Sequence, residues 1–436
     1  MPANQATHVP LFVDLYQLTM AQSYWHKIPD TKGTFELSFR SMPPNRGYMV
    51  VYGARIAINL IRNFAFSPED LSFLRSLNKF DPQFLEYISD LSFNCTVRSM
   101  RDGEIVFGGE PIIQITGSII QAQLLETLLI NTINLRSILA TKCSRVLDSA
   151  RPKKVVDLGA RRSPGIESAI AFSEAGHLVG FEGTASVISG INSSIPLVGT
   201  MAHSYVLAFP TELTAFRSYA EEFPENCTLL VDTFDSIKGI RNAIQVGLEM
   251  RNKGHHLNAI RLDSGNLGEL ATIARRLLDG ASLNEVQIIV SGGLDEYQIS
   301  TLEEKKVPID TYGVGTKVGV SSDAPWADCI YKLVEVDGRP VMKSSEGKPS
   351  IPFAKTVLRQ TNKHDMYERD LVIRKDSNDI SQCGSRIIST IIRDGVLIHD
   401  LPDLAAARNY HHTVFKRLPD QYKHIKSPDR YPVFIQ

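Results

Sequence analysis

Between Thr228 and Lys317 the chain repeats one pattern: a short apolar run ending in small, polar and charged residues, then a helix-like segment. The four instances are LLVDTFDS (Leu229–Ser236), AIRLDSGN (Ala259–Asn266), IIVSGGLDE (Ile288–Glu296) and TYGVGTK (Thr311–Lys317). Each apolar run is too short for a helix and reads as a buried parallel strand. In such βα units chemistry collects at the carboxyl ends of the strands, where Asp232, Asp263, Gly292 and Gly315 fall. Several polar strand ends therefore point at one crevice.

The pattern starts earlier. VVDLG (Val155–Gly159) is followed by RRSPG and a helical segment, then by HLVGFEGTAS, IPLVGTMAHS (Ile195–Ser204) and a helix near Thr211–Phe223. Asp232, Asp263 and Ser291 follow one another at intervals of about thirty residues, one βα unit each. Six or more such units without a dinucleotide fingerprint favour a closed or irregular α/β barrel over an open Rossmann sheet.

Flanking segments read differently. Leu11–Trp25 is an amphipathic helix, Gly33–Arg40 a half-buried strand with Phe35, Leu37 and Phe39 on one face, and Ser67–Leu91 helical. Gln121–Ala150 is a long, mostly buried helix leading into the barrel. Tyr331–Lys343 is a hairpin turning at Asp337-Gly338, and a late helix covers Asp400–Leu418. The expected organisation is a first domain over residues 1–120, a barrel over 121–330, and a segment 331–436 that completes the first domain.

At 436 residues the chain exceeds one ordinary core. A net charge of −1 gives no reason to expect nucleic acid or an anionic membrane as partner, so an anionic substrate must be caught by individually placed cations and backbone N–H groups. The five cysteines are scattered without a CxxC pair, which argues against a zinc site or a disulfide scaffold and suits a reducing cytosol. Met1–Pro10 lacks the form of a signal peptide, and a cytoplasmic location is expected. The uncharged stretch Gly183–Thr211 is broken by glycine, proline, asparagine and serine; it reads as a buried or cleft-lining segment rather than a membrane span.

The residues that could carry chemistry are Arg161, Arg162, His203, Asp232, Asp235, Arg261, Asp263, the Ser291-Gly292-Gly293 turn, and Gly313, Gly315 and Lys317. Glycines after a strand let N–H groups approach an oxyanion, so SGG and GVGTK suit phosphate cradles, although either alone equally makes a turn. Two strand-end carboxylates suit Mg²⁺, which takes one or two carboxylates plus phosphates and water; each alone would equally cap a helix. Arg261 and Asp263, at i and i+2, share a strand face. His203, in an uncharged run, is either a satisfied core histidine or a functional imidazole. His255-His256 and His411-His412 read as solvated. No GxSxG elbow, HExxH or Walker A loop occurs, so the common hydrolase, zinc-protease and NTPase readings lack support.

Taken together, VDLYQLTM (Val13–Met20), FELSFR (Phe35–Arg40), QLLETLLINTIN (Gln123–Asn134), DLGARR (Asp157–Arg162) and GTMAHS (Gly199–Ser204) closely resemble nicotinate phosphoribosyltransferases. The resemblance continues through LLVDTFDS, RLDSGN, SGGLDE, YGVGTK and MKSSEGK (Met342–Lys348). It implies an irregular α/β barrel joined to an α/β sandwich-like domain, and homodimers with shared active sites. It also implies a reaction of nicotinate with phosphoribosyl pyrophosphate to nicotinate mononucleotide and pyrophosphate, coupled to ATP hydrolysis, with Mg²⁺ as cofactor.

Roles follow from the same resemblance. His203 would be the catalytic, phosphorylated histidine. Asp232 and Asp263 would serve ribose and Mg²⁺–pyrophosphate, and Arg161 and Arg261 would contact the anion and base. Thr184, Ser291, Gly292, Gly293, Gly313, Gly315 and Thr316 would line the substrate site, the glycines holding the 5-phosphate. Tyr16 would reach a neighbouring subunit's site to stack on the pyridine ring. Ala185 stands where nicotinamide enzymes carry an acid, which favours a carboxylate substrate over an amide. Departures from the family pattern are Leu158 for a ring-stacking Phe, Asn266 for Asp, Ala185 for Ser, and Phe353 for Gly. They keep two rivals in view: a transferase for nicotinamide or another heterocycle, and a catalytically quiet paralogue that binds nucleotide or phosphoribosyl ligands.

Overall fold

The structure, a computed structural model, describes residues 8–343, 351–377 and 384–436; MKSSEGK from Ser344 onward and Cys383 lie outside them. The chain divides into two units, Met1–Thr141 with Ala324–Gln436, and Lys142–Asp323.

The first unit draws its sheets from both chain ends. In its seven-stranded antiparallel sheet, Lys32–Phe39 pairs with Pro111–Ser118 on one side and with Cys329–Val336 on the other. The hairpin after Cys329–Val336 turns as read, with Asp337 and Gly338 both at positive φ (46° and 75°), as a type I′ turn requires. A second sheet joins Ser385–Arg386, Lys355–Thr361, Tyr367–Arg374 and Val433–Ile435. Phe35, Leu37 and Phe39 are in the core, as their alternation predicts. The strand is not half-buried, however: Thr34 and Glu36 on its other face are covered too. Glu36 tolerates this because Lys355 neutralises it, with Nζ 2.5 Å from Oε2 and the backbone N–H of Lys355 donating to Oε1.

The helices fall near their sequence positions. Leu15–Lys27 starts at an Asp14–Gln17 capping box, Pro68–Ser76 and Pro82–Ser89 divide the Ser67–Leu91 region, and Leu404–Arg417 is the late helix. On that last helix the solvated reading of His411 fails. It shares a buried stripe with Leu404, Ala407, Val414 and Phe415, and its Nδ1 lies 2.9 Å from the Gly103 carbonyl oxygen. A histidine satisfied by one backbone group can occupy an apolar face.

The second unit is a curled, wholly parallel six-stranded sheet with helices between its strands. In chain order these are β1 (Lys154–Asp157), α1 (Ile166–Val179), β2 (Gly183–Thr184), α2 (Val187–Ser193), α3 (His203–Leu207), α4 (Glu212–Glu222) and β3 (Thr228–Leu230). They continue with α5 (Ser236–Asn252), β4 (Ala259–Leu262), α6 (Leu267–Gly280), β5 (Gln287–Val290), α7 (Glu296–Glu304), β6 (Thr311–Val314) and the single turn α8 (Thr316–Gly319). The spatial order is β2-β1-β6-β5-β4-β3. The curl is that of a half-barrel open at one seam: among the described residues the edge strands β2 and β3 do not pair, and residues 185–227 join them in the chain.

Side chains at the strand ends start the helices. Asp235, Asn266 and Asp295 cap α5, α6 and α7 by accepting backbone N–H groups three residues on. Asp235 is thereby a cap, and it lies outside the lining of the cavity described below. Asn266, one of the departures from the family pattern, is likewise engaged as a cap. Phe353, another, sits at positive φ (67°), a conformation glycine adopts freely, and the Arg374 guanidinium lies over its ring. Among the described residues no helix is long and apolar enough to cross a membrane.

Candidate active site

At the carboxyl edge of the parallel sheet lies a cavity of about 630 Å³ lined entirely from the second unit. Leu158, Arg161 and Arg162 follow β1, Arg261 and Asp263 come from β4 and its end, and Ser291 and Gly292 follow β5. Gly313, Gly315 and Thr316 come from β6 and α8, and the seam segment supplies Ala185, Val187 and 198–203. The strand-end rule thus brings together most of the sequence candidates.

The acidic end is tightly bonded. Asp232 is buried outside the cavity lining, and its Oδ2 accepts from the Asp263 backbone N–H (3.0 Å) and the Ser264 hydroxyl (2.6 Å). Its Oδ1 is also buried but has no hydrogen-bond partner. Asp263 Oδ1 accepts from the Ser291 hydroxyl at 2.5 Å, while Oδ2 lies 4.0 Å from His203 Nε2. Neither carboxylate caps a helix, unlike Asp235 and Asp295. The core alternative for His203 is removed as well: its side chain is 41% exposed, and Nδ1 is 3.1 Å from Thr233 Oγ1.

The basic end carries three guanidiniums, those of Arg161, Arg162 and Arg261. Arg161 Nη1 donates to the Leu158 carbonyl oxygen (3.1 Å) and Arg261 Nη1 to Thr200 Oγ1 (2.6 Å). Burial pulls the Arg261 guanidinium below its ordinary value; Asp263 and Asp232 oppose that, and Arg161 adds to it. Beneath them Asp157 is sunk in the sheet, and burial raises its carboxyl despite the donors around it. Those donors are Thr184 Oγ1 (2.6 Å), Gly159 N (2.7 Å) and Ser173 Oγ (2.7 Å). This network fixes the turn that presents Leu158 and Arg161.

Gly292 is sterically required, and Gly313 is closely packed. A Cβ on Gly292, at φ +99°, would lie 1.9 Å from the Asp263 carbonyl oxygen, and one on Gly313 would lie 2.6 Å from Leu158 Cδ1. The second contact shows Leu158 already resting on the β6 backbone.

Other sequence candidates stand elsewhere. Lys317 turns away to Asp295, Nζ to Oδ2 2.9 Å. Thr184 is fully buried on Asp157, behind the cavity wall. Gly293 follows Gly292 in the turn at φ +70°, outside the lining. Tyr16 belongs to the first unit, where it is exposed on Leu15–Lys27. The seam segment lines the cleft as expected but is far from wholly buried: Val187, Ile188, Ile191 and Leu207 are exposed, Ile191 at 75%. Sequence reasoning passed over Thr200 and Thr233. Both stand within motifs already singled out; for Thr233 a hydroxyl beside Asp232 was the available signal, and for Thr200, in an uncharged run, there was none.

The fold matches the crystal structure of human nicotinic acid phosphoribosyltransferase over 97% of both chains, with a TM-score of 0.86 at 26% identity. A curled parallel sheet that gathers three guanidiniums, the Asp263 carboxylate and glycine turns around one cavity at its carboxyl edge, in this fold, defines a phosphoribosyltransferase of the α/β-barrel type. Three family models match in succession: the nicotinate phosphoribosyltransferase N-terminal domain at residues 11–134, the family itself at 153–370, and the C-terminal domain at 383–436. Nicotinate phosphoribosyltransferase pncB2 of Mycobacterium tuberculosis is 37% identical, covering 98% of this chain and 91% of the relative. The Bacillus subtilis nicotinate phosphoribosyltransferase is 34% identical over 97% and 92%. The chain belongs to the nicotinate phosphoribosyltransferase family.

Proposed function

We propose that this chain joins nicotinate to phosphoribosyl pyrophosphate in NAD salvage, coupled to ATP through His203. The carrying observation is the convergence of Arg161, Arg261, Asp263 and His203 on one cavity at the strand ends. The nicotinate ring nitrogen forms a bond to the anomeric carbon as the carbon–oxygen bond to pyrophosphate breaks, and the electron pair leaves with pyrophosphate. Positive charge builds on the ribose while negative charge leaves, so the protein's task is to orient both substrates and balance charge. Arg161 and Arg261 receive anionic oxygens, and the Ser291-Gly292 turn offers N–H groups to phosphate. In the coupling step an imidazole nitrogen of His203 bonds to the γ-phosphorus of ATP, ADP departs with the bridging oxygen, and water later releases phosphate.

A magnesium ion fits the acidic end. The Asp232 Oδ1 atom is buried without a partner, and among the described residues no cluster of three or more His, Cys, Asp or Glu forms a complete cage. Asp232 and Asp263 would hold such an ion, with substrate phosphates and water completing its shell. When bound, it supplies neutralisation of the departing pyrophosphate. The exposed apolar side chains of the seam segment and the exposed Tyr16 fit a homodimer with shared sites, and the expected place of action is the cytoplasm.

The direct test is mononucleotide formation with nicotinate or nicotinamide, with and without ATP. Turnover of nicotinate alone, raised by ATP in the wild type and indifferent to ATP in His203→Ala, is the expected result. Turnover of neither base would leave the quiet-paralogue alternative. Substrate choice has its own test at Ala185, whose backbone N–H is fixed to the Asp157 carbonyl oxygen (2.8 Å) and whose side chain faces the cavity. Ala185→Asp places a carboxylate there. It should raise the KM for nicotinate about tenfold or more and improve use of nicotinamide, since like charge is repelled and an amide can donate. Unchanged KM values for both bases would remove Ala185 from the specificity argument.

A further inference from the structure

Arg261 leaves its strand on a long, flexible side chain beside a second cation, Arg161, and near the carboxylates of Asp263 and Asp232. Left to electrostatics, it would swing from its like-charged neighbour onto Asp263 and present little to a substrate. The hydrogen bond from Nη1 to Thr200 Oγ1, at 2.6 Å, opposes that swing. The hydroxyl suits the task because its own proton is directed to the Met201 carbonyl oxygen (3.2 Å), which leaves oxygen lone pairs for the guanidinium. The buried Nε of Arg261 has no hydrogen-bond partner, so the fork is held at this one point.

We infer that Thr200 is a positioning residue that presents Arg261 to an anionic oxygen of the substrate, either the pyridine carboxylate or a phosphate of the phosphoribosyl donor. The inference rests on the reading of Arg261 as an anion contact. Its chemistry is that of a guanidinium fork whose free N–H groups match an oxyanion only while its plane is fixed. The anchor lies on the seam segment, three residues before His203, so one hydroxyl ties that segment to β4.

The test is steady-state kinetics of Thr200→Val and Thr200→Ser, each also placed in an Arg261→Gln background, with thermal unfolding as a check that the proteins fold. Thr200→Val removes the acceptor at nearly constant volume and should raise one KM about tenfold, in keeping with a hydrogen bond to a charged group, while kcat stays within about threefold. The KM that moves, for nicotinate or for phosphoribosyl pyrophosphate, identifies the anion. Thr200→Ser should restore that KM to within about twofold of wild type. With Arg261→Gln already present, Thr200→Val should change nothing further, because the two side chains act as one. A Thr200→Val enzyme with both KM values unmoved, a Ser variant that fails to rescue, or full additivity with Arg261→Gln would overturn the inference. If Arg261→Gln itself moves neither KM, Arg261 is no anion contact and the inference falls with that reading.

Discussion

Asp232→Asn should lower kcat about a hundred- to a thousandfold and leave the fold in place. The amide oxygen can still accept the Asp263 N–H and the Ser264 hydroxyl, the two bonds now made by Oδ2. What changes is the other atom. The buried, unpartnered Oδ1 becomes an NH₂ group, which cannot face a cation or a cation-bound phosphate. Mg²⁺ titration of activity separates this from general damage, because half-saturation should move to higher concentration while the unfolding midpoint shifts by no more than about 3 °C. Wild-type turnover and Mg²⁺ dependence in Asp232→Asn would refute the assignment of this carboxylate to pyrophosphate departure.

A large stability loss is expected in the other unit, at Arg359. Its guanidinium is buried with Glu104 (2.7 Å) and Asp370 (2.6 Å), and Glu110 stands 4.0 Å away. Arg359→Met fills similar space but leaves these carboxylates without their cation. The cost should be about 3–5 kcal/mol, or an unfolding midpoint lower by roughly 10 °C. The loss should depend on pH. Burial, followed by the charge of Asp370, holds the Glu110 carboxyl well above its ordinary value of 4.5, and Arg359 works against that rise. A carboxyl raised in the folded state contributes fully below its unfolded value, and the contribution fades as pH climbs toward the folded value. Without Arg359 the folded value rises further, so the deficit should be larger at pH 8 than at pH 5. Chemical denaturation at the two pH values measures it; an equal deficit would mean that Glu110 is not coupled to Arg359.

Much of the site was legible because βα units obey a positional rule. Once the apolar runs ending at Asp232, Asp263, Ser291 and Gly313 are recognised as parallel strands, their ends must share an edge, whatever lies between. The capping role of Asp235 was not separable in advance from the roles of Asp232 and Asp263, since all three follow strands; only side-chain direction divides them. Lys317 misled for a related reason: a lysine in a glycine turn suggests a phosphate cradle, yet here it reaches Asp295 across the surface. Glu36 and His411 evade pattern reading because burial of a polar group depends on a partner distant in sequence, Lys355 in one case and Gly103 in the other. In the first unit, the alternation in Gly33–Arg40 correctly identified one inward face but could not reveal that the other was covered as well.

The seam between β2 and β3 divides the catalytic equipment by its mechanical support. Asp263, Ser291 and Gly313 are fastened at or just beyond inner staves of the hydrogen-bonded ladder, where displacement breaks pairing on both sides, and Asp232 follows the edge stave β3, paired with β4 alone. His203 and Thr200 ride on the chain that joins the two edge strands. That chain is tied to β2 through Thr184 and its partners Pro196 and Val198, but has no ladder on the β3 side. Sequence changes there can therefore shift His203 and its neighbours, and Arg261 through Thr200, without breaking a strand ladder. In such a sheet the unladdered stretch is where cavity side chains can drift while the ladder that carries Asp263 and Ser291 is kept.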